Sequence, residues 1–86
     1  MSIDWDALES ELEAAAWSVL DGPANDAAAK SVRRVVEART RRWIGRVPGL
    51  QRVDVSAVAV AGGIEVSVQL HLGTKTRRIR AVVGGI

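Results

Sequence analysis

Residues 51–72 read QRVDVSAVAVAGGIEVSVQLHL, and this stretch decides the fold class. Val53, Val55, Ala57 and Ala59 alternate with Arg52, Asp54, Ser56 and Val58. After Gly62 and Gly63, Ile64, Val66, Val68, Leu70 and Leu72 alternate with Glu65, Ser67, Gln69 and His71. Successive side chains of a strand point to opposite faces, so a period of two with one apolar set is a strand with one buried side. Two such runs joined at a Gly-Gly pair predict a β-hairpin. Gly73, Thr74 and Lys75 form a second turn. Residues 76–83 then read either as a third strand, with Ile79, Ala81 and Val83 inward and Arg78 and Arg80 outward, or as an extended basic arm.

Upstream of residue 51 the period changes from two to between three and four. Trp5, Leu8, Leu12, Ala15, Ala16, Val19 and Leu20 make one stripe of a helix over residues 4–20. Asp4 or Ser2 caps its start and Asp21, Gly22 and Pro23 stop it. A second helix over residues 26–47 carries Val32, Val35, Val36, Trp43 and Val47 inward, with Ala28 and Ala29 allowing close approach, and Pro48-Gly49 ends it. The expected architecture is α+β in one domain, residues 1–86: two N-terminal helices on one face of a small antiparallel sheet, ααββ or ααβββ.

Eighty-six residues bury about 60 to 65% of the surface of the unfolded chain, so the core is thin. There is no Cys to form a disulfide, and one His cannot anchor a Cys/His metal site. Association with other chains is the remaining support. Apolar residues form 48% of the chain, mostly Ala and Val, with three Trp and neither Phe nor Tyr. The mean hydropathy of +0.09 fits a folded domain. No run approaches the roughly 18 apolar residues of a membrane-spanning helix, and the acidic start MSIDWDALESELE is unlike a signal peptide. The expected location is the cytoplasm, or a virion.

The net charge of +2 conceals a division along the chain. Residues 1–28 hold seven acids and no base, whereas residues 29–52 hold eight bases and one acid, Glu37. Two antiparallel helices whose flanks complement each other would account for this, each exposed pair contributing about 0 to 1 kcal/mol. A negative patch on one copy meeting a positive patch on the next would also account for it. Trp17 falls off the apolar stripe of the first helix, about 120° from Trp5, and either packs beneath a loop or the sheet or faces a partner. Arg39 falls inside the stripe of the second helix, with its stem along the core edge or in an interface.

The chemistry of a catalytic or cofactor site is missing. His71 stands between Leu70 and Leu72 on a strand, with no nucleophile elbow beside it. Glu65 shares its face but lies six residues away, roughly 20 Å along the strand. Glu9 and Glu13 read as solvating charge. Gly73-Thr74-Lys75-Thr76 joins two strands and is no phosphate loop. No zinc, calcium or dinucleotide pattern is present. The reading is therefore of no catalytic residue, cofactor, metal or small-molecule substrate. A nucleic-acid surface is the competing possibility, given the basic clusters Arg33, Arg34, Arg41, Arg42, Arg46 and Arg77, Arg78, Arg80 and a pI near 9.9. The neighbouring acids and the absence of Phe and Tyr for base stacking weigh against it.

Two resemblances follow from these residues. LEAAAWSVL, VRRVVEARTRRW and IEVSVQLHLGTK, in that order, resemble the small bacteriophage virion proteins of the head-tail region. That resemblance implies a non-enzymatic, ring-forming structural subunit whose partners are identical copies and other assembly proteins. Residues 32–72, with Val47-Pro48-Gly49-Leu50, Val53, Gly62-Gly63 and IEVSVQLHL, also resemble the helix and hairpin unit of the alkaline-shock family of envelope stress proteins. That family continues with a further helix, where this chain ends in RRIRAVVGGI. The expected assembly residues are Trp17, Arg34, Arg39, Arg41, Arg42, Arg78 and Arg80.

Overall fold

The structure, a computed structural model, describes residues 4–20 and 25–84. Helix α1 spans Trp5–Trp17 and helix α2 spans Asp26–Arg41. A short 3-10 turn, Arg42–Gly45, leads to strands β1 (Leu50–Val60), β2 (Gly63–Leu72) and β3 (Lys75–Val83). The sheet order is β1-β2-β3, with both pairings antiparallel. The architecture is α+β, with the helices N-terminal to the sheet, and the basic segment after the second turn is its third strand.

Each helix begins where a side chain can take up a free backbone N–H. The Asp4 carboxylate accepts from the Ala7 N–H at 3.1 Å, and the Asn25 side-chain oxygen accepts from the Ala28 N–H at 2.9 Å. Helix α1 closes at Trp17, three residues before the expected end, where the Ser18 hydroxyl donates to the Ala15 carbonyl at 2.6 Å. The expected Asp21-Gly22-Pro23 stop lies outside the described residues. Helix α2 ends at Arg41 rather than Val47. The tighter 3-10 turn that follows swings Trp43 fully into the core and leaves Ile44 exposed.

Stripe membership in α2 also differs from the sequence expectation at one position. Ala29, Val32, Val36 and Thr40 are buried, and Arg39 is exposed. Thr40 tolerates burial because its hydroxyl donates to the Glu37 carbonyl at 3.2 Å, satisfying it inside its own helix.

β2 is the middle strand, and Ile64, Val66, Val68 and Leu70 on it are wholly excluded from solvent. Ile79, Ala81 and Val83 of β3 flank them, and Leu8, Leu12, Ala15 and Ala16 of α1, the α2 stripe and Trp43 close over them. Helix α2 packs chiefly over β1 and α1 over β3. The opposite face of the sheet carries Arg52, Asp54, Ser56 and Val58 of β1, Glu65, Ser67, Gln69 and His71 of β2, and Arg78, Arg80 and Val82 of β3. No helix among the described residues covers this face.

Turn and edge details set the register. Two residues, Ala61 and Gly62, link β1 to β2, with Gly63 already paired to Val60. The turn is thus one residue earlier than the Gly62-Gly63 pair suggests. Gly73, at φ 65°, opens the β2–β3 turn, as a two-residue hairpin loop with positive φ at its first position requires. A bulge between Leu50 and Arg52 leaves Gln51 unmatched and shifts the pleat by one residue. Leu50 therefore points into the core and Arg52 to the open face. Gly84, at φ 82°, lets the chain pass against Leu20; a Cβ there would stand 2.6 Å from Leu20 Cδ2.

Trp43 is the largest fully buried side chain, and its indole N–H meets no acceptor among the described residues. Trp43→Ala should cost about 3 to 5 kcal/mol through lost contacts and a cavity. Trp43→Phe should cost far less, because it removes an unpartnered donor while keeping most of the ring volume. Urea unfolding midpoints of the two variants check the difference.

Candidate functional site

The open face of the sheet holds the only histidine, and the pairing of β1 with β2 brings an acid to it. Asp54 lies opposite Gln69, and His71 lies opposite Arg52. Asp54 and His71 are thus diagonal neighbours on one face. The His71 Nε2 to Asp54 Oδ2 distance is 2.8 Å, and the Arg52 Nε–H donates to Asp54 Oδ1 at 3.1 Å. Both carboxylate oxygens are therefore engaged. The hydrogen bond with His71 holds the Asp54 carboxyl below its usual range. Partial desolvation opposes this, and the hydrogen bond and charge of Arg52 add to the lowering.

The sequence reading places His71 on the sheet surface and considers only Glu65 as its partner. The structure supplies Asp54 from the neighbouring strand. Glu65 instead accepts from Arg80 Nη2 at 2.7 Å, again across a diagonal. Between these pairs, Ser56, Ser67, Gln69 and Arg78 line a shallow polar groove of about 310 Å³. Its lining offers hydrogen bonds but little of the apolar enclosure that holds small organic ligands. Among the described residues, no three His, Asp or Glu side chains gather as metal ligands would. No described helix is long and apolar enough to cross a membrane.

All seven expected assembly residues are exposed, on separate surfaces. Trp17, 51% exposed, sits at the end of α1. Arg34 and Arg41 belong to the side of α2 that carries Lys30 and Glu37. Arg39 and Arg42 flank a different hollow, with Val35 and Ala38. Arg78 and Arg80 lie on the open sheet face. Apolar exposure concentrates near the β1–β2 turn, where Val58 (56%) and Val82 (57%) stand on either side of Glu65 in one cross-strand row. The outward parity of both valines follows from the alternating runs that contain them.

One ion pair ties α1 to the segment that follows the 3-10 turn, where Arg46 Nη1 lies 3.4 Å from Glu11 Oε1. Elsewhere Arg33 pairs with Glu37 on its own helix at 3.4 Å, and the Arg77 guanidinium lies over the Trp5 ring, 4.3 Å from its centre. Such exposed contacts contribute about 0 to 1 kcal/mol each.

The lowered Asp54 pKa has a defined sign. A carboxyl that titrates lower folded than unfolded stabilises the fold above its unfolded value, and that stabilisation is lost as pH falls through the folded value. In a carboxyl-carbon NMR titration, Asp54 should reach its midpoint below 3.8. His71→Ala should return it toward 3.8, and Arg52→Ala should move it the same way. An unchanged midpoint in His71→Ala would refute the assigned cause. No family model, curated protein or solved structure matches this chain.

Proposed function

We propose that this protein is a non-enzymatic assembly subunit that works as a homo-oligomer, most concretely as a structural component of a bacteriophage virion. The observation that carries this reading is an incomplete sheet. Both β1 and β3 are edge strands, of 11 and 9 residues, and among the described residues no element covers one face of the sheet. Long unpaired edges present rows of backbone donors and acceptors that other chains can satisfy.

Three further features support association. Val58, Val82 and Trp17 are each more than half exposed, and Val58 and Val82 share one cross-strand row on the open face, a local apolar patch that a partner can cover. The core contains a single large aromatic, Trp43, and small Ala and Val side chains fill most of the rest. The resemblance to head-tail proteins, carried by LEAAAWSVL, VRRVVEARTRRW and IEVSVQLHLGTK, implies sheet edges and charged helix faces that pack against identical neighbours. The alkaline-shock reading is the weaker of the two resemblances, because β3 stands where that family continues with a helix.

A second reading, nucleic-acid binding, draws on the exposure of Lys30, Arg33, Arg34, Arg39, Arg41 and Arg42 along α2. The acids of α1, on the same side of the sheet, reduce the field that such a surface would offer a phosphate backbone.

Sedimentation at about 0.1 M and about 1 M salt, across which the screening length falls from ~10 to ~3 Å, separates these readings. The assembly reading expects a discrete species several times the 9.2 kDa protomer that loosens as salt rises. A protomer-sized particle at every concentration would overturn it. Tight duplex DNA binding that weakens steeply with salt would favour the second reading.

A further inference from the structure

The two edges of the sheet are chemically unlike, and the unlikeness has a direction. At the β1 edge, a groove of about 410 Å³ runs between α2 and the strand, with Glu37, Arg41 and Ile44 on one wall and Val53 and Val55 on the other. Lys30 and Arg34 stand on the same side of α2, beside Arg33 and Glu37. Arg33 is held by Glu37, but Lys30, Arg34 and Arg41 have no ion-pair partner among the described residues.

In the helical layer above the β3 edge the sign is opposite, although β3 itself carries Lys75, Arg77, Arg78 and Arg80. Glu11 of α1 faces the α2 side, where it meets Arg46. At roughly 100° per residue, Glu9 and Glu13 fall about 160° to either side of Glu11, on the far flank of the helix. This is the half of the helix from which Trp5 reaches Arg77 on β3. Glu9 and Glu13 are exposed and without an ion-pair partner among the described residues. Of the β3 bases, Arg77 lies over Trp5 and Arg80 on Glu65, whereas Lys75 and Arg78 have no ion-pair partner among the described residues, so the acidic character belongs to the α1 flank alone.

β1 and β3 each run antiparallel to β2, so they run parallel to each other. A second copy with its helices on the same side of the sheet can therefore set its β1 beside β3 of the first and extend the sheet as a parallel pair. The same placement brings α1 of the first copy beside α2 of the second. We propose that copies associate head to tail in this way, the β3 edge and Glu9/Glu13 flank of one docking on the β1 edge and Lys30/Arg34/Arg41 flank of the next. Docking like edges would instead oppose the unpaired bases, or the two unpaired acids, to themselves. This inference rests on the assembly reading above and specifies its surfaces and polarity.

A charge exchange tests it. The variant E9R/E13R reverses only the acidic flank, and K30E/R34E/R41E reverses only the basic one. Each alone should associate at least about tenfold more weakly than the unmodified protein. An equimolar mixture should recover assembly, because each altered flank then meets its altered complement. All five side chains are exposed, so far-UV circular dichroism of each variant should match the parent. The milder pair E13Q and R41Q should weaken association in the same direction if a reversal disturbs folding. Unimpaired assembly by folded E9R/E13R, or a mixture that stays dissociated, would overturn the head-to-tail surface while leaving oligomerisation standing. A parent protein that never associates would overturn both.

Discussion

Everything in this molecule leans on one strand. β2 alone has neighbours on both sides, and its inward residues Ile64, Val66, Val68 and Leu70 are the floor on which both helices rest. The constraint is one of parity. A slip of one residue would turn all four toward the bare face and bring Glu65, Ser67, Gln69 and His71 beneath the helices, a polar set with no partners there. The apolar alternation of β2 therefore fixes the register of its neighbours, the side on which the helices lie, and the composition of the face they leave uncovered.

That parity is also why so much of the fold was legible. Alternating valines need no knowledge of tertiary structure, and neither do apolar residues at helical spacing, so the hairpin and both helices follow from the order of residues alone. Two points stay open where a local rule meets a packing decision. Arg39 has the spacing of an inward residue, but Thr40 takes the place because a threonine can satisfy its hydroxyl on its own helix and a guanidinium cannot. The C-terminal segment is ambiguous by composition, since Arg77, Arg78 and Arg80 suit a solvated arm. It becomes a strand because Ile79, Ala81 and Val83 complete the floor beside β2.

The Asp54 and His71 pair illustrates a different limit. Its members are 17 residues apart, and they meet only because the hairpin folds about Ala61 and Gly62 with a particular register. Numbering across that turn places Asp54 opposite Gln69, one diagonal step from His71. A search confined to one strand finds Glu65 and misses it. The charge division between the first 28 residues and those that follow was plain in the sequence. Its spatial meaning was not, because it depends on which helix lies over which edge. With α2 over β1 and α1 over β3, opposite signs mark opposite flanks of the helical layer, and among the described residues only the ion pair of Glu11 with Arg46 links the two charged segments.

The chain has three indoles and no tyrosine or phenylalanine, and the fold gives each indole a different medium. Trp43 is sealed from water, Trp5 is half-covered beneath a guanidinium, and Trp17 is half in solvent. Ultraviolet emission from this protein is consequently a sum of three built-in reporters with no other fluorophore behind them. The blue component reads the integrity of the interior, the intermediate one reads the seating of the first helix on the last strand, and the red one reads whatever comes to rest at the end of that helix.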